Sequence, residues 1–134
     1  MDLTIDIGNS NVKLGLFKSG NLIATHKLNS INHQKIVQYA LKRNVKNVIL
    51  SSVKSSSRLC PHRMKKIFKN FIELSPNIPL PIKIHYNSPA TLGRDRIAAA
   101  AGANSLFPDK NVLIIDMGSA ITFDVVTQNN EFIG

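Results

Sequence analysis

LTIDIGNSNVKLGLF, residues 3–17, decides the fold. Leu3 to Ile7 and Val12 to Phe17 are two strand-like apolar runs, joined by the polar, glycine-led turn Gly8-Asn9-Ser10-Asn11. Such a pattern predicts a β-hairpin with an acid, Asp6, near the end of its first strand and a lysine, Lys13, on the returning one. A second turn at Ser19, Gly20 and Asn21 leads into Leu22 to Lys27, so the chain is predicted to open as a three-stranded antiparallel meander.

Further along, Ile31 to Arg43 reads as a helix and Asn47 to Ser52 as a short apolar strand. Ser55 to Asn70 reads as a basic helix with a serine cap, its lysines and arginines a solvated face. Phe71 to Leu74 and Ile82 to His85 are extended, because Pro76, Pro79 and Pro81 keep that stretch out of helix. An alanine-rich helix over Asp95 to Leu106 ends before Pro108, and strands follow at Val112 to Asp116, Ala120 to Thr127 and Glu131 to Ile133.

The opening hairpin recurs. A shift of 110 positions lays Leu3, Ile5, Asp6 and Gly8 on Leu113, Ile115, Asp116 and Gly118, Leu16 on Val126, and Leu22 and Ile23 on Phe132 and Ile133. An acid, a glycine and a later turn coincide, which predicts a duplicated unit. The predicted domains are residues 1–89 and residues 90–134, the second incomplete.

Composition bounds the rest. Across 134 residues the formal charge is +9, from 17 Lys and Arg against 8 Asp and Glu, which favours anionic partners such as nucleotides or nucleic acid. A single cysteine, Cys60, excludes an internal disulfide and a multi-cysteine metal site within one chain, as a reducing cytoplasm would allow. Met1 is followed by an acid with no apolar leader, so no export or membrane insertion is expected. The four histidines show no metal-ligand spacing, and neither the P-loop nor the dinucleotide-binding glycine motif is present.

The hairpin carries its own chemistry. Turn N–H groups can face phosphate oxygens, Asp6 can hold hydrated magnesium, and Lys13 can neutralise charge on a transferring phosphoryl group. A plain hairpin with an exposed lysine is the competing reading. Asp95, between Arg94 and Arg96 at the start of the alanine-rich helix, is either an oriented carboxylate or a simple N-cap.

Three ordered motifs, Asp6-Ile7-Gly8-Asn9-Ser10-Asn11 with Lys13, Gly93-Arg94-Asp95-Arg96, and Asp116 to Asp124, resemble the type III pantothenate kinases of the actin/sugar-kinase/Hsp70 superfamily. Ser119 and Ile121 depart from the usual third motif. The resemblance implies an α/β, RNase H-like (actin-like ATPase) domain with a mixed sheet, followed by the start of a second, duplicated domain cut short at Gly134. In that superfamily the paired hairpins face one another across a cleft. It also implies ATP-dependent phosphorylation of pantothenate, the entry step to coenzyme A, in the cytoplasm.

By resemblance, ATP is contacted by Asp6, Ile7, Gly8, Asn9, Ser10, Asn11, Val12, Lys13 and Ser119. Pantothenate is contacted by Tyr86, Gly93, Arg94, Asp95 and Arg96, with Arg96 suited to bidentate pairing with its carboxylate and Asp95 as general base. Magnesium accompanies ATP at Asp6 through water, and a monovalent cation, potassium or ammonium, sits at Asp116. The full-length protein is expected to form a homodimer with no membrane or nucleic-acid partner, and the 134-residue chain alone to be inactive. A basic, RNase H-like nucleic-acid-binding module is the alternative.

Overall fold

A computed structural model describes residues 1–9, 11–52, 61–118 and 120–134. The chain divides into two compact units, Met1–Leu74 and Ser75–Gly134.

In the first unit β1 (Asp2–Ile7), β2 (Val12–Lys18) and β3 (Asn21–Leu28) form the expected meander. Ser19 and Gly20 hold positive φ angles of 50° and 81° in the two-residue β2–β3 turn, the geometry that matches the twist of a hairpin. α1 (His33–Leu41) then carries the chain to β4 (Asn47–Ser52), and α2 (Pro61–Ile67) precedes β5 (Asn70–Glu73). These crossovers let β4 run parallel to β1 and β5 parallel to β4, giving a mixed sheet of order β3-β2-β1-β4-β5.

Strand alternation sends Leu3, Ile5 and Ile7 of β1 and Val12, Leu14 and Leu16 of β2 to one face, each no more than 3% exposed. They share a core with Ile36 and Ala40 of α1, Met64 of α2 and Phe68. α1 begins later than its apolar pattern suggests because the Asn32 side chain accepts the Lys35 N–H at 2.9 Å and caps it. The start of the expected basic helix lies outside the described residues. Its end is earlier than expected, since Asn70 already belongs to β5, where its amide donates to Asn47 at 2.7 Å while Asn47 donates to Asp2 at 2.6 Å.

In the second unit β6 (Lys83–Ile84), α3 (Arg94–Leu106), β7 (Val112–Met117), β8 (Ile121–Val126) and β9 (Glu131–Phe132) build a sheet of order β6-β9-β8-β7. β7, β8 and β9 form an antiparallel meander, with β6 parallel to β9. α3 packs on β7 and β8, and Ile97, Ala100, Val126 and Phe132 are fully buried.

The two hairpins correspond, with one adjustment. Gly8 N–H donates to the Asn11 carbonyl at 3.0 Å, and Gly118 N–H donates to the Ala120 carbonyl at 3.0 Å. The first turn separates the pair Ile7 and Val12, whereas the second separates Met117 and Ile121 and is one residue shorter. After the turn Leu14 therefore corresponds to Phe123 and Leu16 to Val125, not to Val126 as an ungapped shift places it. The next turn restores the lost residue, so Leu22 again corresponds to Phe132.

Burial separates the two hairpins. Leu113, Ile115, Met117, Ile121 and Phe123, the counterparts of core residues in the first unit, are 52% to 76% exposed. They lie on the face of β7 and β8 opposite the buried Asp124 and Val126, which share the α3 side of the sheet.

Candidate active site

The first candidate group sits at the end of the β1–β2 hairpin. Asp6 and Lys13 are direct cross-strand partners, so both side chains rise from the sheet face opposite the core. Lys13 is exposed and Asp6 partly buried. Both line a pocket of about 420 Å³ with Thr4, Gly15, Phe17 and Leu22. Gly15 keeps that pocket open: a Cβ there would lie 2.6 Å from Thr4 Oγ1 and 3.1 Å from the Phe17 ring. Ile7 and Val12 face the core instead, so they support the turn from beneath. Gly8, Asn9 and Asn11 form the described part of the turn, and Ser10 lies outside the described residues.

Parallel pairing adds a neighbour that sequence reading missed. Ser51 of β4 stands beside Asp6, and its hydroxyl is buried without a hydrogen-bond partner among the described residues. The serine pair that ends an apolar strand was the available signal, but its register against β1 was not legible in one sequence.

The second group belongs to the second unit. Gly93, not Asp95, is the N-cap of α3, and Asp95 occupies the first turn. Its carboxylate oxygen accepts the Arg96 N–H at 3.0 Å and is otherwise exposed. A Cβ on Gly93 would collide with that same oxygen, so the glycine supplies space rather than an unusual φ. Asp95 is thus an outward carboxylate in the first turn of α3. Arg94 occupies the same first turn.

Arg96 is the most constrained side chain of the group. Its Nε donates to Asp124 Oδ1 at 2.9 Å, a terminal nitrogen donates to the same oxygen, and the other donates to the Tyr86 hydroxyl at 3.2 Å. The guanidinium carbon lies 5.1 Å from the Tyr86 ring centre and 5.7 Å from that of Phe132. The Asp124 hydrogen bond holds the guanidinium above its already high ordinary pKa, so Arg96 stays charged at any working pH. Gly134, at φ +87°, fits against Tyr86, where a Cβ would come within 2.9 Å of the ring.

Asp116 is exposed on β7, opposite Thr122 of β8. Ser119 lies outside the described residues. Among the described residues no three histidine, cysteine, aspartate or glutamate side chains converge as a metal cage. Asp6 fits a different demand: hydrated magnesium carried by a nucleotide needs only one or two protein carboxylates. Asp116 likewise offers a hard oxygen donor suited to an alkali cation.

Comparison with known proteins decides the family, since the profile described as type III pantothenate kinase matches residues 2–134. The chain belongs to the type III pantothenate kinases. It is 35% identical over 134 residues to the type III pantothenate kinase of Phocaeicola vulgatus, covering 100% of this chain and 55% of that protein. The relative from Christiangramia forsetii is 35% identical over 136 residues, with coverages of 100% and 56%. That from Finegoldia magna is 35% identical over 149 residues, with coverages of 98% and 55%. The chain spans about half the length of these curated relatives.

The nucleic-acid reading drawn from net charge has no comparable support. Besides Ser51, the geometry brings forward Asp124, which has no site role in the sequence reading. It closes the third motif and shares one face of β8 with Thr122 and the buried Val126, opposite the exposed Ile121 and Phe123, whereas its polarity beside Thr122 points to solvent in the sequence. Its partner, 28 positions away, could not be read from spacing.

Proposed function

We propose that this chain is part of an ATP-dependent pantothenate kinase, catalysing the first step of coenzyme A synthesis in the cytoplasm. The observation that carries the reading is the Asp6–Lys13 pair beside a glycine turn, in a chain matched to this family over residues 2–134.

In the proposed reaction the primary hydroxyl oxygen of pantothenate attacks the γ-phosphorus of ATP. An oxygen–phosphorus bond forms, the bond to the bridging oxygen of ADP breaks, and the hydroxyl proton passes to Asp95. Asp95 suits this role because its carboxylate is exposed on a rigid helix terminus. Lys13 and the turn N–H groups of Asn9 and Asn11 place positive potential where phosphate charge develops, on a turn that the Gly8 N–H closes by donating to the Asn11 carbonyl. Val12 and Ile7 anchor that turn in the core. Magnesium, when bound with ATP, neutralises phosphate oxygens, and Asp6 would hold it through water. Asp116 would hold the monovalent cation. Tyr86, Gly93, Arg94 and Arg96 form the pantothenate side.

The strand order β3-β2-β1-β4-β5 and the second hairpin with its matching glycine hydrogen bond support an RNase H-like domain followed by a duplicated one. Among the described residues no helix is long and apolar enough to cross a membrane. The exposed apolar face of β7 and β8 supports the reading that the 134-residue chain is inactive alone and that further protein, a homodimer included, completes the assembly.

Steady-state kinetics of Asp95→Asn in the full-length protein test the mechanism. A fall in kcat of roughly 10²-fold or more, with the KM for ATP little changed, is expected; turnover near that of the unaltered enzyme would remove Asp95 from the proton transfer.

A further inference from the structure

A carboxylate at 1% exposure has to be explained, because burying a charge is costly unless it is paired and hydrogen-bonded. Asp124 meets that condition through a single oxygen, which accepts both Nε and one terminal nitrogen of Arg96. Replacing a buried ion pair by apolar residues is often neutral or stabilising, so stability is a weak reason for its presence. Orientation is a stronger one.

A guanidinium has five N–H donors in a planar fork. Asp124 engages two along one side and the Tyr86 hydroxyl a third, at 3.2 Å. The two left over sit one on each terminal nitrogen. The Arg96 side chain is 21% exposed while its acidic partner is 2% exposed, so the accessible part of the pair is cationic. Tyr86 and Phe132 flank the guanidinium and limit its swing. Held this way, Arg96 has one donor on each terminal nitrogen with which to meet a second carboxylate.

We infer that Asp124 and Tyr86 are positioning residues that hold Arg96 for the carboxylate of the acceptor substrate, and so set the preference for an acid over its alcohol analogue. This rests on the proposed pantothenate kinase activity. Tyr86 then acts through Arg96 by its hydroxyl, rather than by a polar contact of its own with the substrate.

The test compares pantothenate with pantothenol, in which a hydroxymethyl group replaces the carboxylate, in the full-length protein. For Asp124→Asn the ratio of kcat/KM on pantothenate to that on pantothenol should fall about tenfold, through the KM for pantothenate, because a charge-assisted hydrogen bond no longer fixes the fork. The KM for ATP should stay within about twofold, which a general loss of structure would not allow. Tyr86→Phe keeps the ring and removes only the acceptor, so it should lower the same ratio by about threefold and remains informative if Asp124→Asn folds poorly. An unchanged ratio in either folded variant, or equal losses on both acceptors, overturns the inference while leaving the kinase reading intact. Absence of turnover on both acceptors in the unaltered enzyme overturns the kinase reading and the inference with it.

Discussion

Leu14→Ala and Phe123→Ala change corresponding positions of the two hairpins and should have unequal consequences. Leu14 is 2% exposed in the first core, so truncation removes a fully buried side chain and leaves a cavity, at about 3 kcal/mol. Phe123 is 62% exposed on the open face of β8; just over a third of its surface is buried, which scales a full phenylalanine loss of 3–5 kcal/mol to about 1–2 kcal/mol. The assay is native-state hydrogen exchange on the 134-residue chain, read at the amides of β1 and β2 for the first variant and of β7 and β8 for the second. Exchange in the first hairpin should accelerate by about two orders of magnitude, and in the second by only about tenfold. Equal acceleration would refute the claim that the same strand pattern is covered in one unit and open in the other.

Other expectations follow from single contacts. Asn32→Ala removes the side-chain acceptor for the Lys35 N–H and should cost about 1 kcal/mol, seen as lower protection of the first turn of α1. Gly93→Ala brings a Cβ onto the Asp95 carboxylate; in the full-length enzyme kcat should fall at least about tenfold while α3 stays helical by circular dichroism. Lys13→Met keeps the length of the side chain but not its charge, and should lower kcat about 10²-fold with a smaller change in overall stability, checked by kinetics beside thermal unfolding.

Much of the fold was legible because apolar alternation is strong where strands lie over one core. The β1–β2–β3 meander, β4 and the three-strand run from Val112 appear within a residue or two of the expected bounds. α1 begins later and α2 ends earlier than expected, at limits marked by side-chain contacts of Asn32 and Asn70 rather than by propensity. The one-residue difference between the hairpin turns was illegible for a related reason. An ungapped shift cannot see a turn shorten and the next one lengthen, yet the pairing of Met117 with Ile121 requires it. Open and covered strands of similar pattern also look alike in sequence, since Leu113 is 60% exposed and Leu3 1%.

The candidate site divides similarly. Asp6 and Lys13 were legible because both lie on one hairpin, whose register follows from the turn. The position of Asp95 at the head of α3 was legible, but that Gly93 rather than Asp95 is the cap depends on where α3 begins. Ser51 and Asp124 escaped because their significance comes from parallel pairing and from a side chain reached across the fold.

The most direct test of the proposed activity incubates the full-length protein with ATP, magnesium, potassium and pantothenate, and follows ADP together with phosphorylated pantothenate. The account predicts equal amounts of the two products, loss of both when pantothenate is withheld, and no turnover by the 134-residue chain. ADP formation that ignores pantothenate, or no phosphorylated product from a folded full-length protein, would contradict it.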